Sequence, residues 1–301
     1  MEVATEILKS RMSNIRETRD VNESRRYLDS VSITLPETEN VSITDVIQEK
    51  VRGTWFSPKD ADPDITILYC HGGGYSFYPK TYITFIALIS LAIRARMFAL
   101  DYRLAPEHRF PEQLEEALDA YRWLLQSGTN PKDVVIAGDS AGGNLTIALL
   151  LAAHDLKLPQ PALAVALSPP TDFAIELASM FSNEDSDWID KRMLVQWADW
   201  FCDLEQRRNP LVSPQRADLR DLAPIYIQAG RAEILYDSIQ AFADRAQKEG
   251  ADVVLESWED MNHVFQLLGR YVPQSAEALK RLGEVVDAQV RESKKTKIVL
   301  L

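Results

Sequence analysis

The sequence predicts an α/β fold: a mostly parallel central sheet of about eight strands, helices on both faces, and a helical cap over one end. Three observations lead there. Short β-rich runs alternate with helical patterns along most of the chain, the rhythm of a parallel sheet covered on both sides. One such run, in "VVIAGDSAGGNL", breaks abruptly into Gly138-Asp139-Ser140-Ala141-Gly142 before a helical pattern begins. The stretch between "SPPTDF" and "APIYIQAG" holds no strand pattern at all, too long an interval for an ordinary connection.

In chain order, residues 1–30 place apolar positions at helical spacing among many charges and read as one or two short helices. "SITDVIQEKVRGTWFSP" alternates like an exposed strand pair. "ITILYC" is a buried strand running into a glycine turn, with a helix over "ITFIALISLAIRA" after it. "MFALDYRLAP" reads as a strand and "EQLEEALDAYRWLLQ" as a helix. Then come strand "DVVIAGDS", helix "AGGNLTIALLLAAHD" and strand "ALAVALSPP". The strandless stretch carries Met180, Phe181, Trp188, Trp197, Trp200 and Phe201, and reads as a helical insertion over one end of the sheet. Strand "APIYIQAG", helix "SIQAFADRAQKEG", strand "DVVLESWE" and a final helix near 275–291 close the chain. The basic run "RESKKTK" is a solvated end, and the tail "IVLL" receives no function.

Composition narrows the class. The 301 residues suffice for a large core, and 46% hydrophobic with 26% charged is an ordinary globular balance. A net charge of −12 argues against a nucleic-acid partner, which requires a basic face. The longest apolar stretches, "TYITFIALISLAI" and "LTIALLLAA", are too short to span a bilayer, and the N-terminus lacks the apolar core of a secretory signal. A cytoplasmic protein without stable membrane association is expected; a homodimer is left open. Cys70 and Cys202 have no metal-ligand spacing, and Cys70 reads as a core thiol.

Gly138-Asp139-Ser140-Ala141-Gly142 fits G-x-S-x-G between a strand and a helix, the context of a nucleophile elbow. Such a turn projects the hydroxyl toward a base, which a serine needs to be nucleophilic at neutral pH. It also sets Ser140 at a helix N-terminus, where free N–H groups favour developing negative charge. His71-Gly72-Gly73-Gly74 follows the strand "ITILYC", and glycines there let backbone N–H groups face a cavity. The expected oxyanion donors are the N–H groups of Gly73, Gly74 and Ala141, with Gly72 shaping the turn. A phosphate cradle is the weaker reading, because no P-loop lysine follows and the spacing is not GxGxxG.

Of four histidines, His71 belongs to the glycine loop, His108 to a proline-rich turn, and His154 to the far end of the helix after Ser140. His263, in "EDMNHVFQ", follows the last strand and can return to the carboxyl edge of the sheet, so it is the expected base. A carboxylate must fix its tautomer, and in this fold it follows the penultimate strand. Glu233 and Asp237 both qualify. Glu233 lies in the loop just past the strand and is chosen. Asp237 stands directly before a helical pattern, as an N-cap or first-turn residue. Asp260 is assigned to the turn after the last strand.

With those residues in hand, "HGGGY" (71–75), "DYRLAPEHRFP" (101–111), "GDSAGGNL" (138–145) and "MNHVF" (261–265) resemble the signature blocks of the hormone-sensitive-lipase-like branch of α/β-hydrolases, the bacterial family IV carboxylesterases. The resemblance implies the α/β-hydrolase fold, Ser140 as nucleophile, His263 as base, and Gly73, Gly74 and Ala141 as oxyanion hole. Family members usually carry Asp-Pro-Leu-x-Asp around the acid. Here the stretch reads Glu233-Ile234-Leu235-Tyr236-Asp237, which places the acid on Glu233. The resemblance further implies N-terminal cap helices (1–45), a first core segment (46–175), a cap insertion (176–207) and a second core segment (208–301). Tyr75, Trp188, Trp197, Trp200 and Phe201 are then candidates to contact substrate, while Tyr102, Arg103, Pro106 and Glu107 brace the loops. The expected activity is a serine carboxylesterase acting on small esters of short to medium acyl chains, without metal or cofactor. An amidase or formamidase with the same triad, or a non-catalytic receptor on this fold, is the alternative.

Overall fold

The computed structural model describes residues 2–30 and 36–295. Eight strands form one sheet: β1 (Val41–Ile47), β2 (Arg52–Pro58), β3 (Asp62–Cys70), β4 (Ala95–Leu100), β5 (Val134–Asp139), β6 (Leu163–Leu167), β7 (Ile225–Gly230) and β8 (Val253–Trp258). Their order is β1-β2-β4-β3-β5-β6-β7-β8. β1 and β2 pair antiparallel, as do β2 and β4, and every other neighbour is parallel. The crossovers of the parallel part require helices, which cover the two faces.

Period-two alternation divides the core between those faces. In β3, Leu68 and Cys70 point into one cluster, while Ile67 and Tyr69 point into the other. The first cluster is closed by α4 (Glu112–Gln126), α5 (Ala141–Asp155) and α8 (Tyr236–Lys248), through Leu114, Tyr121, Leu149 and Phe242. The second is closed by α3 (Thr81–Ile93) and α9 (Pro273–Lys295), through Ile86, Ile89, Leu282 and Val286. α5 is apolar all round because it is enclosed all round: every residue from Ala141 to Ala153 is buried. It therefore gives Ser140, at its N-terminus, a rigid mounting.

Four more helices pack onto the first cluster, through Ile15, Val21, Met180 and Trp197 respectively: α1 (Glu2–Glu17), α2 (Val21–Ser30), α6 (Ser179–Ser182) and α7 (Lys191–Phe201). The N-terminal pair is tied to the insertion, with Arg16 donating to the Trp188 carbonyl at 3.0 Å and ion-pairing with Asp190 at 3.3 Å. Arg25 of α2 donates to the Ser76 and Ala105 carbonyls and grips Glu107 with both of its terminal nitrogens.

Some expected boundaries shift. The strand expected over "MFALDYRLAP" ends at Leu100, because Tyr102 turns aside to brace the glycine loop. The last helix runs from Pro273 to Lys295 and takes up most of the basic run, leaving "IVLL" outside the described residues. Asp237 is not the N-cap of α8, a position held by Leu235; it sits in the first turn, and its carboxylate instead accepts from the Ser179 N–H at 2.8 Å, capping α6. Cys70 and Cys202 are buried free thiols. No helix of the described residues is long and apolar enough to cross a membrane.

Candidate active site

The elbow is built by close approach. Ser140 has φ +50° and ψ −123°, strained for any side chain but glycine, with its N–H anchored on the Leu167 carbonyl at 2.7 Å. A Cβ on Gly142 would lie 2.0 Å from the Cys70 carbonyl oxygen, and one on Gly138 would lie 2.3 Å from that of Gly142. Only glycine lets the start of α5 sit this tightly over β3 and β5.

Three loops at the carboxyl edge of the sheet bring the sequence-predicted residues together. His263 Nε2 is 2.9 Å from Ser140 Oγ, and His263 Nδ1 is 3.0 Å from Glu233 Oε2. In the neutral ring, Nδ1–H donates to the carboxylate and Nε2 accepts from the hydroxyl. The Glu233 and His263 side chains are at most 1% exposed. Burial pushes the Glu233 carboxyl up to about 8, against hydrogen bonding from Ser168 and the Gly230 backbone. Burial also holds the His263 imidazole below its usual range, only partly offset by the charges of Asp187 and Asp139. The resting pair is therefore kept with an uncharged, proton-accepting ring.

The glycine loop is fixed by side chains from both faces. Gly73 has φ +99°, and a Cβ there would meet the Phe77 carbonyl oxygen at 2.1 Å. Asp139, fully buried at the end of β5, accepts from Gly72 N–H at 2.9 Å, Tyr69 Oη at 2.7 Å and Tyr82 Oη at 2.9 Å. His71 lies between the rings of Tyr78 and Tyr102 at 3.8 and 4.1 Å, and burial lowers its pKa to about 3. It is neutral, and its Nδ1–H donates to the Gly72 carbonyl at 2.6 Å. Tyr102 Oη donates to the His71 carbonyl at 2.7 Å, a brace on the loop. Among the described residues, no backbone partner takes the N–H groups of Gly73, Gly74 and Ala141.

A cavity of about 170 Å³ opens beside Ser140, bordered by Gly74 and Ala141 and walled by Phe173, Leu194, Trp197 and Leu235. Of the five aromatic candidates, Tyr75 and Trp197 line it. Trp188, Trp200 and Phe201 do not: Phe201 stacks on Tyr75 at 3.7 Å, and Trp200 packs edge-on to Phe77. Trp188 directs its Nε1–H to the His263 carbonyl at 2.6 Å. His108 pairs with Glu112, and His154 lies at the far end of α5, so neither reaches the hydroxyl. Asp260 occupies a left-handed turn position after β8. Among the described residues, no group of three or more His, Cys, Asp or Glu side chains is placed to hold a metal ion.

Sequence reasoning missed three polar residues at the site. Asp139 stood inside the G-x-S-x-G block, where a buried strand-end carboxylate was there to be questioned. Asn144 accepts from Tyr75 Oη and donates to the Pro170 and Val212 carbonyls, a role α5's apolar run does not announce. Asp187, wholly buried, is hidden in the acidic run "NEDSDWID" and looks there like one solvated charge among several.

Comparison with known proteins bears on the fold and the family. A family model described as alpha/beta hydrolase fold matches residues 67–267. An acetyl-hydrolase of Streptomyces hygroscopicus is 37% identical over 231 residues, covering 76% of this chain and 77% of that protein. An esterase of Acinetobacter venetianus is 31% identical over 268 residues, covering 87% and 88%. Among solved structures, an esterase from the bacterial hormone-sensitive lipase family superposes with a TM-score of 0.87 at 32% identity, covering 95% of this chain and 98% of that one. EstE5, in crystals soaked with p-nitrophenyl butyrate, superposes with a TM-score of 0.89 at 31% identity, covering 96% and 97%.

Proposed function

The chain belongs to the α/β-hydrolase fold family, in its bacterial hormone-sensitive-lipase branch, and from that premise we propose that Ser140, His263 and Glu233 carry out its carboxylic ester hydrolysis. The observation that carries the assignment is the unbroken hydrogen-bonded line Ser140 Oγ–His263 Nε2 and His263 Nδ1–Glu233 Oε2, at 2.9 and 3.0 Å. Ser140 attacks the ester carbonyl while Nε2 takes its proton. Glu233 accepts the Nδ1–H bond, holds the tautomer and stabilises the imidazolium as it forms. The tetrahedral oxyanion is received by the N–H groups of Gly73, Gly74 and Ala141, of which Gly74 and Ala141 border the cavity with Ser140. The imidazolium then protonates the departing alcohol. Water, activated by the same Nε2, releases the acid and restores Ser140.

Helices α1, α2, α6 and α7 are read as the cap, and the wall of Leu194, Trp197 and Leu235 as the acyl side of the pocket. Its limited volume supports short to medium acyl groups. Two buried unpaired thiols are in keeping with a reducing, cytoplasmic setting. The test is a rate series on p-nitrophenyl esters from acetate to palmitate, with p-nitroanilides alongside, for the parent and Ser140→Ala. Ester turnover lost in the serine variant supports the reading. Turnover retained by the folded variant sinks it.

A further inference from the structure

The insertion does more than roof the pocket. Asp187 is wholly buried, and no lysine or arginine pairs with it among the described residues. A buried carboxylate without a counter-ion must be satisfied by hydrogen bonds, and the donors it has are all backbone. Oδ1 accepts from the N–H of Trp188 at 2.8 Å and of His263 at 3.1 Å, and Oδ2 accepts from the N–H of Ile234 at 2.9 Å. The next residue completes the grip, since the Trp188 indole N–H donates to the His263 carbonyl. Both main-chain polar groups of His263 are thus held by two consecutive residues 75 and 76 positions away in sequence.

The same short segment also holds the acid loop. Asn183 Nδ2 donates to the carbonyls of Arg231 and Glu233, each at 3.0 Å, and Ser186 Oγ donates to that of Ala232 at 3.1 Å. Base loop and acid loop also bond to each other directly, Arg231 N–H to the Trp258 carbonyl and Ala232 N–H to the Met261 carbonyl, each at 2.9 Å, and residues 183–188 hold both from the cap side.

We propose that Asp187 and Trp188 are positioning residues for catalysis: a clamp, borne by the cap insertion, that fixes the main chain of His263 and thereby the reach of its imidazole between Ser140 and Glu233. The inference rests on reading His263 as the base. Neither residue bonds to the reacting atoms: the Trp188 ring packs beside the His263 ring, centroids 5.6 Å apart, and does not line the cavity. The consequence falls on kcat, because a base displaced by a fraction of an ångström binds substrate as before and transfers protons less well. Misplacement on the scale of 1 Å costs about 10²-fold.

The experiment compares Trp188→Phe, Asp187→Ala and Asp187→Asn with the parent, using p-nitrophenyl butyrate turnover, inactivation by a serine-directed phosphonate, and thermal unfolding. Trp188→Phe keeps a six-membered aromatic ring and removes the indole N–H together with the pyrrole ring; loss of the bond to the His263 carbonyl is expected to lower kcat by about 5-fold. KM should stay within about twofold, and phosphonate inactivation should slow by the same factor as kcat. Asp187→Ala is expected to lose about 10²-fold in kcat. Asp187→Asn should recover part of that, because its amide oxygen can still accept from His263 while its NH₂ opposes the Ile234 donor. If Asp187→Ala fails to fold, Trp188→Phe decides. Unchanged kcat in a folded Trp188→Phe, or a raised KM at unchanged kcat, overturns the clamp and leaves the esterase reading intact. A parent enzyme that hydrolyses no ester overturns the functional reading and the clamp with it.

Discussion

The imidazole of His263 and the carboxylate of Glu233 meet at 3.0 Å in a place where neither side chain is more than 1% exposed. Burial acts on the two in opposite directions along the pH axis, raising the carboxyl and lowering the imidazole, and in the same direction chemically, toward uncharged forms. The Nδ1–H bond opposes that push on Glu233 and keeps it a carboxylate, so at rest it faces a neutral ring, and in the proposed reaction the ion pair appears only as Nε2 takes the proton of Ser140. A carboxylate and an imidazolium formed in a dry site attract each other more strongly than they would in water, so the stabilisation falls on the transition state.

Ser140→Ala should abolish ester turnover with the fold retained. The substitution removes one hydroxyl from a residue whose backbone is held by Leu167 and by the glycines around it. Circular dichroism checks the fold, and mass spectrometry after phosphonate treatment should place the label on Ser140 alone. A label on another serine would refute the nucleophile.

The acid limb of the pH profile should lie below the pH of an ordinary imidazole, about 6.5. The sign follows from burial, which favours the neutral ring and so lets the base function to lower pH. Measured kcat/KM should reach half of its plateau below that value. A midpoint above 7 would contradict the burial argument.

Asp187 gives a stability prediction with the opposite slope. Burial, opposed by His263 and reinforced by the neighbouring Glu233 charge, raises its carboxyl from the ordinary 3.8 to about 6. A carboxyl raised in the folded state stabilises fully below the unfolded value, and that contribution is lost as pH climbs through the folded one. Asp187→Asn has no such group. The parent should therefore lose stability relative to the variant between pH 4 and about pH 6, by on the order of 3 kcal/mol across the window. Denaturant midpoints of the pair at pH 4, 5, 6 and 7 read this directly, and a constant difference would exclude it.

Much of this was legible in the chain. β5, α5 and Ser140 could be placed because the elbow is local: "VVIAGDSAGG" contains the strand, the turn and the glycines that the close approach demands. The His71–Gly74 turn was legible for the same reason. What did not show were bonds between distant segments. Trp188 and Phe201 drew attention as large aromatics in a cap, a property that fits a pocket wall and an internal brace equally well, and their partners His263 and Tyr75 lie far off in sequence. Asp187 was harder still, since its burial depends on three loops converging, and nothing in an acidic run marks which member turns inward.

Acyl preference tests the pocket. The cavity beside Ser140 is small, about 170 Å³, and walled on its apolar side by Phe173, Leu194, Trp197 and Leu235. Each added methylene gains about 0.8 kcal/mol of burial only while there is room for it. Hydrolysis of p-nitrophenyl esters should peak at short or medium chains and fall steeply toward palmitate. A rate that keeps rising to palmitate, with activation at a lipid interface, would require an open groove.

The acid has two candidates four residues apart, and the structure gives them different surroundings. Glu233 Oε2 faces His263 Nδ1, whereas Asp237 Oδ2 accepts from the Ser179 N–H and has no bond to the histidine. Glu233→Gln keeps size and hydrogen-bonding capacity but cannot neutralise an imidazolium, and its amide can present a donor to Nδ1 and favour the wrong tautomer. A comparable change in a serine protease triad lowers kcat by about 10⁴-fold, the loss expected here. Asp237→Asn retains an oxygen able to cap α6, since asparagine and aspartate serve almost equally at such positions, and activity should stay within a few-fold of the parent. Steady-state kinetics on one short ester separate the outcomes. If the losses are reversed, Asp237 is the acid and the loop rearranges before reaction. If both variants remain active, the imidazolium is stabilised by another buried carboxylate, and Asp187, bonded through its own Oδ1 to the His263 main chain, is the next to substitute.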